Sequence, residues 1–243
     1  CRPFRTTSCA RCSQGATLSG DAVDDVGAPA ATRRRWPKFV AGVVAGLVAL
    51  LVLVTAGFVW WASSTPEPGP RAAAALVSDE RVRVVDDDGY TFEPARPAEV
   101  GLVLYPGARV DPASYAAPAR AIAAAGVLVV VPELTLNLAV LDASAAADVI
   151  AARPEIETWV VGGHSLGGAM AARFAHDRPA EVSGLLLWAA YPPDGADLSS
   201  DDLAVASIYG TLDGLTTLDD IGRSRARLPP GTEFVAVEGG NHA

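Results

Sequence analysis

A serine stands among glycines in Val160-Val161-Gly162-Gly163-His164-Ser165-Leu166-Gly167-Gly168-Ala169, where an apolar run gives way to small residues. That order predicts a strand, a tight turn and the start of a helix, the setting in which G-x-S-x-G forms a nucleophile elbow. A hydroxyl at the tip of such a turn stands clear of the sheet, beside the first N–H groups of a helix. Those donors stabilise negative charge developing on an attacked carbonyl oxygen. The chemistry implied is attack by Ser165 on an acyl carbon. Gly163 and Gly167 have a steric reason to be there, because a Cβ two residues to either side of the serine would crowd strand against helix. Ser165 itself is expected in a sparsely populated backbone region, at a strain of about 1–3 kcal/mol.

A glycine-rich turn without chemistry has the same letters, so the partners decide. A serine needs a base, and the base needs a group to orient and stabilise it. Elbow hydrolases supply these in the chain order Ser, Asp or Glu, His. Of the three histidines, His164 lies inside the elbow and His176 in the helix that follows, which leaves His242. It comes after a strand pattern, Thr232 to Glu238, in the turn Gly239-Gly240-Asn241-His242. For the acid, Asp213 is favoured, at the turn that ends the apolar run Ala206 to Tyr209. Asp194, in Pro192-Pro193-Asp194-Gly195, is the runner-up, while Asp219 and Asp220 read as solvated residues entering the last helix. A second oxyanion donor is expected from the loop after an earlier strand. Val100 to Ala108 fits, and the backbone N–H groups of Ala108 and Leu166 are the expected pair.

Taken together, Tyr105-Pro106-Gly107-Ala108, Gly163-His164-Ser165-Leu166-Gly167-Gly168, Tyr209 to Gly214 and Gly239 to His242 resemble the α/β-hydrolase superfamily. More narrowly the chain is similar to the compact bacterial, dienelactone-hydrolase-like branch often labelled α/β-hydrolase family 5, over roughly residues 77–243. The resemblance implies Ser165 as nucleophile, His242 as general base and acid, and Asp213 as the orienting carboxylate, with no cofactor and no metal. Members of that branch normally continue past the histidine with a further helix, so an extension beyond Ala243 is expected. The lack of an initiator Met likewise suggests a fragment or a misplaced start.

The elements that must hold these residues alternate. Strands are expected at 81–85, 90–93, 99–105, 127–132, 158–162, 184–189, 204–209 and 233–237, and helices at 112–125, 139–152, 166–177 and 217–227. Near-continuous apolar strands alternating with helices predict a mostly parallel, doubly wound sheet covered on both faces. Chemistry in such sheets lies at the carboxyl ends of the strands, where every candidate residue falls. Only about 13 residues separate the strand ending near Ala190 from the one starting near Ala204, which leaves no room for a cap domain. A shallow, open pocket for small or surface-presented acyl substrates is therefore expected.

Ahead of this domain, Phe39 to Trp61 is 23 residues without a charge. As a helix it spans about 34 Å, against a hydrocarbon core of about 30 Å. It reads as a transmembrane helix closed by Trp60 and Trp61, with Trp36 at its other flank. Arg33, Arg34, Arg35 and Lys38 precede it, and the far flank to Pro70 carries no Lys or Arg. The positive-inside rule then places the N-terminus in the cytoplasm and the hydrolase domain outside the cell membrane. A cleaved signal peptide, ending near Ala62-Ser63-Ser64, is the competing reading, though its apolar core is usually shorter. Gly42 and Gly46 have the GxxxG spacing of helix dimers, a weak pointer to self-association. Residues 1–38 are expected to be a basic, disordered cytoplasmic segment and 62–76 a linker.

Charge divides at that helix: residues 1–38 hold seven Arg or Lys and three Asp, residues 62–243 twelve Arg and twenty-five Asp or Glu. An acidic domain argues against nucleic acid as a partner. Cys1, Cys9 and Cys12 all precede the apolar run, and Cys9-Ala10-Arg11-Cys12 has no second pair to complete a zinc site. The sequence thus supports a membrane-anchored serine hydrolase of an ester or thioester, amides being less favoured. The alternative is a hydrolase fold kept as a tethered, inactive binding or scaffold module.

Overall fold

The computed structural model describes residues 36–242. The expectations for residues 1–35, the three cysteines included, lie outside the described residues. One long helix, α1 (Trp36–Ser63), opens the description, and its stretch Lys38–Ser63 is long and apolar enough to cross a membrane. The chain divides into two units within α1, after Val48, and the sheet and the site lie wholly in the second.

All eight expected strands form: β1 (Val82–Asp86), β2 (Gly89–Pro94), β3 (Val100–Tyr105), β4 (Leu128–Pro132), β5 (Thr158–His164), β6 (Gly184–Trp188), β7 (Ala204–Gly210) and β8 (Glu233–Val237). They make one sheet in the order β1-β2-β4-β3-β5-β6-β7-β8. The pairs β1–β2 and β2–β4 are antiparallel and every pair from β4 to β8 is parallel. Helices α3 (Ala116–Ala124), α4 (Ala145–Ala151), α5 (Leu166–Asp177) and α6 (Leu218–Ser224) connect the parallel strands.

The apolar runs are continuous because both faces are buried, and side chains alternate between two cores. Val103, Tyr105, Val161, Leu185 and Leu187 pack with Ala171, Ala172 and Phe174 of α5. Their neighbours in sequence, Leu102 and Leu104, pack on the other side with Ala116, Ala119 and Ala123 of α3. Small residues on α3 and α5 let those helices lie close to the sheet.

The helix expectations hold for α5, residue for residue, and need adjustment elsewhere. Residues 112–115 are a 3-10 turn leading into α3, with Asp111 accepting from the Ala113 N–H as its cap. Helix α4 starts at Ala145, not 139, because the preceding loop closes on itself: the Asp142 carboxylate accepts the Thr135 N–H. Leu136 and Asn137 there have φ of 54° and 53°, the left-handed region, so the single 3-10 turn at Thr135–Asn137 does not continue into a helix. The span 62–76, expected as a linker, contains a short helix, α2 (Pro70–Ala75), with Ala72 buried. Arg120 of α3 fastens that stretch by donating to the carbonyls of Ala75 and Val77 and pairing with Asp79 at 2.6 Å. The C-terminal end of α1 is also held, since Arg109 donates to Trp61 O in its last turn at 2.9 Å and to Ser64 O just past it at 2.8 Å. Between β6 and β7, residues 189–203 contain neither helix nor strand, so no cap is inserted there.

Among the described residues, one buried side-chain oxygen lacks a partner, Ser207 Oγ on β7. An unpaired buried hydroxyl carries its desolvation cost with no bond in return. Ser207→Ala is therefore expected to raise stability by about 1 kcal/mol. A thermal melt a few degrees above the parent chain is the expected readout, and a lower melt would show that Oγ does find a partner.

Candidate active site

The turn between β5 and α5 has the geometry the glycines predict. Ser165 sits at φ 54°, ψ −124°, a conformation that costs a non-glycine residue about 1–3 kcal/mol. It is pinned by its neighbours: its N–H donates to Trp188 O at 2.9 Å and its carbonyl accepts from Ala169 N–H at 3.1 Å. A Cβ on Gly163 would lie 2.4 Å from the carbonyl carbon of Gly167, which is the predicted crowding of strand against helix. Gly167 is needed for a different reason. Its Cβ would meet the carbonyl oxygens of Tyr105 and Pro106 at 2.3 Å, so it is the end of β3 that presses on the elbow. That contact packs the end of β3, immediately ahead of Gly107 and Ala108, against the start of α5.

In the same loop the amides on either side of Ala108 are tied down. Gly107 N–H donates to the Tyr115 hydroxyl at 2.9 Å and Arg109 N–H to Asn137 O at 2.8 Å. Leu166 is the first residue of α5, where helix N–H groups have no intrahelical acceptor.

His242 is delivered by a zipper between the ends of β7 and β8. Thr211 N–H donates to Val237 O at 3.0 Å, Leu212 N–H to Gly240 O at 2.8 Å, and Gly239 N–H to Thr211 Oγ1 at 2.9 Å. Gly210 allows this approach, since a Cβ there would come within 2.3 Å of Gly240 O. The imidazole then bridges two groups from distant parts of the chain: Nε2 is 2.8 Å from Ser165 Oγ and Nδ1 is 2.9 Å from Asp213 Oδ2.

The carboxylate of Asp213 is fully buried and fully used. Its Oδ1 accepts the N–H groups of Leu215 and Thr216, both at 2.8 Å. Burial pushes its pKa up, but the Thr216 amide, the His242 ring and the Leu215 amide outweigh that and hold it below the ordinary value. A charged carboxylate only accepts, so His242 carries its proton on Nδ1. Nε2 is then a lone pair facing the serine hydroxyl. That is the arrangement for taking the serine's proton as the oxygen attacks.

Asp194, the other acid considered, is elsewhere: it pairs with Arg227 at 2.7 Å on the surface. Asp219 is exposed, as expected, whereas Asp220, read as solvated, is half-buried because it closes the capping box of α6 with Thr217. His176 lies in the last turn of α5, away from these contacts. Two residues for which the sequence suggested no part also touch His242 or its surroundings. The His164 ring is buried 5.0 Å from that of His242, and its Nδ1 is 3.0 Å from the Tyr115 hydroxyl. His164 had one sequence signal, its place inside the elbow. Tyr115 had none.

An apolar groove of about 610 Å³ runs beside the imidazole, lined by Tyr115, His164, Trp188, Ile208, Val237 and His242. Ser165 does not line it, so it flanks the base and not the hydroxyl. Among the described residues no cluster of three or more His, Cys, Asp or Glu is placed to hold a metal ion.

A family model described as the α/β hydrolase family matches residues 101–243. No curated protein sequence matches the chain. Among solved structures it is similar to native esterase 2 of Thermogutta terrifontis, at 15% identity and a TM-score of 0.52, over 74% of this chain and 86% of that one. It is also similar to a predicted CIB-like hydrolase from Thermoplasma acidophilum, at 15% identity and a TM-score of 0.54, over 67% and 88%. The Thermogutta esterase phosphorylated by paraoxon aligns at 17% identity and a TM-score of 0.50, over 67% and 84%. At these identities the likeness is one of fold, and it is the α/β-hydrolase fold with a mostly parallel eight-stranded sheet.

Proposed function

We propose that this chain, which belongs to the α/β hydrolase family, is a membrane-anchored serine hydrolase that cleaves an ester or thioester through an acyl-enzyme. One observation carries the reading. A single imidazole bridges the hydroxyl of Ser165 at 2.8 Å and the buried carboxylate of Asp213 at 2.9 Å, with its proton on the carboxylate side.

Ser165 Oγ attacks the acyl carbon while its proton passes to His242 Nε2. Asp213 stays ionised and stabilises the resulting imidazolium. The carbonyl oxygen becomes an oxyanion held by the N–H groups of Ala108 and Leu166, each such donor being worth about 2.7–4 kcal/mol in the transition state. Collapse expels the alcohol or thiol, which takes the proton from His242. Water then adds to the acyl-serine by the same route in reverse, releasing the acid and restoring the hydroxyl.

The anchor is α1, whose uncharged stretch Phe39 to Trp61 is preceded by Arg33, Arg34, Arg35 and Lys38. By the positive-inside rule its N-terminal end is cytoplasmic and the hydrolase domain faces outward.

The test uses the full chain in detergent with p-nitrophenyl acetate and phenyl acetate, each in water containing methanol. A common acetyl-enzyme partitions between methanol and water without regard to the group that has left. The ratio of methyl acetate to acetate is therefore expected to be the same for both esters. A ratio that changes with the leaving group contradicts the covalent intermediate, and absence of turnover on any ester or thioester leaves the inactive binding module.

A further inference from the structure

His242 is held at two places, and only one is its ring. Its main-chain carbonyl accepts a hydrogen bond from His164 Nε2 at 2.7 Å. A carbonyl cannot donate, so His164 carries its proton on Nε2, and a neutral ring then presents a lone pair at Nδ1. Facing that lone pair at 3.0 Å is the Tyr115 hydroxyl, which must be the donor. The Tyr115 oxygen in turn accepts the N–H of Gly107 at 2.9 Å. Every proton in the series is thereby assigned: Gly107 N–H to Tyr115, Tyr115 O–H to His164 Nδ1, His164 Nε2–H to the carbonyl of His242.

The two ends of this series are two loops of the site that lie beyond the ends of the strands. One is the turn carrying the base; the other is the loop carrying Ala108. The middle member, His164, is adjacent to Ser165 on the last position of β5. We infer that His164 and Tyr115 are positioning residues, a hydrogen-bonded strut that sets the backbone of His242 and the Gly107–Ala108 loop against Ser165. The inference rests on the hydrolase reading above for the meaning of the positions it fixes, and on contacts within this chain for the strut itself.

Several features suit a strut and not a second proton relay. His164 hydrogen-bonds neither to Ser165 Oγ nor to the imidazole nitrogens of His242, and its bond runs to a carbonyl that cannot pass a proton on. Burial pushes the His164 pKa down, repulsion from His242 adds to this, and the His242 carbonyl and Asp213 only partly offset it. Burial also pushes the Tyr115 hydroxyl up, to about 12, against the effect of the Gly107 amide. Both members therefore keep the protonation the pattern requires. The glycine at 107 belongs to the same device, because a Cβ there would lie 2.8 Å from His164 Nδ1 and 3.2 Å from the Tyr115 oxygen.

The discriminating pair of variants is His164→Phe and His164→Gln. Phenylalanine keeps a ring against Trp188, which the histidine meets edge-on at 5.6 Å, but loses the donor. Glutamine loses the ring and places an amide N–H where Nε2 was. If His164 only fills space, Phe is the milder change; if it is a strut, Gln is. In H164F the expected loss in kcat is about 10- to 100-fold with little change in KM, the range for leaving one buried polar group unpaired. H164Q is expected to recover most of it, and Tyr115→Phe, which removes a single oxygen, to fall between them. Near-parental activity in H164F with loss in H164Q would overturn the inference.

A second readout does not depend on turnover. Imidazole nitrogen NMR of the full chain is expected to show His164 as the neutral Nε2–H tautomer, with the Nδ1 resonance displaced in Tyr115→Phe. The Nδ1–H tautomer, or a spectrum that Y115F leaves unmoved, would also overturn the strut. A chain with the expected tautomer but no hydrolysis would instead refute the hydrolase reading and leave the strut standing.

Discussion

Ser165→Ala is expected to lower kcat on an ester by about six orders of magnitude while leaving KM nearly unchanged. The oxygen removed is the one that forms the acyl bond, and nothing else at the site can replace it. His242 Nε2 would face a methyl group, and the remaining rate would be that of water directed by the oxyanion donors and by binding alone. Alanine at position 165 keeps the strained φ of 54°, so the fold should melt where the parent does. Ser165→Gly separates the two effects further. It is equally inactive, yet glycine adopts positive φ without a Cβ penalty, so its melt is expected to rise by an amount corresponding to about 1 kcal/mol. Steady-state kinetics and thermal unfolding of the same preparations check both statements. Activity surviving in either variant at more than a thousandth of the parental kcat would contradict them.

Asp213→Asn is expected to cost about 10⁴ in kcat with the fold intact, and the geometry says why. The Leu215 and Thr216 amides both donate to Oδ1, so the carbonyl oxygen of an asparagine must remain there. Its NH₂ group is then forced to face His242 Nδ1. Two donors cannot share that bond, and the ring answers by moving its proton to Nε2, where it confronts the serine with a hydrogen in place of a lone pair. Charge adds to the effect, because a neutral amide does not stabilise the imidazolium formed during attack.

The same carboxylate links stability to pH. Its pKa is lower in the folded chain than in the unfolded one, so the unfolded state binds the proton more readily. Its stabilising contribution is complete above the ordinary carboxylate pKa and is lost as pH falls through the folded value. In D213N that acid-side dependence is expected to weaken. An unchanged acid melting profile would show that Asp213 is not what is being titrated.

Most of the positions that matter were legible because each answers to a local rule. The elbow can be read from Gly163, Ser165 and Gly167 because a serine turn this tight leaves no room for a Cβ two residues to either side. The eight strands can be read because a buried parallel sheet demands unbroken apolar runs. His242 followed from chain order and Asp213 from the turn after an apolar strand, and the structure brings Asp213 and Ser165 within hydrogen-bond distance of the His242 ring. What escaped was set by contacts distant in sequence. The α4 start depends on Asp142 folding back to Thr135, and helix α2 on Arg120 reaching across from α3. The clash that demands Gly167 comes from β3, some sixty residues upstream, and not from the strand beside it. His164 does not fit the chain order as a base, and its bond to the carbonyl of residue 242 spans 78 positions and has no sequence signature.

The central claim is that Ser165 is made nucleophilic by His242 and Asp213, and covalent labelling reaches it most directly. The full chain is incubated with a fluorophosphonate, digested, and the adduct located by mass spectrometry, with S165A and D213N alongside. One adduct per chain on Ser165, absent from S165A and formed orders of magnitude more slowly in D213N, is the predicted result. Contradiction would be a parental chain that does not label, or an S165A chain that labels as well as the parent.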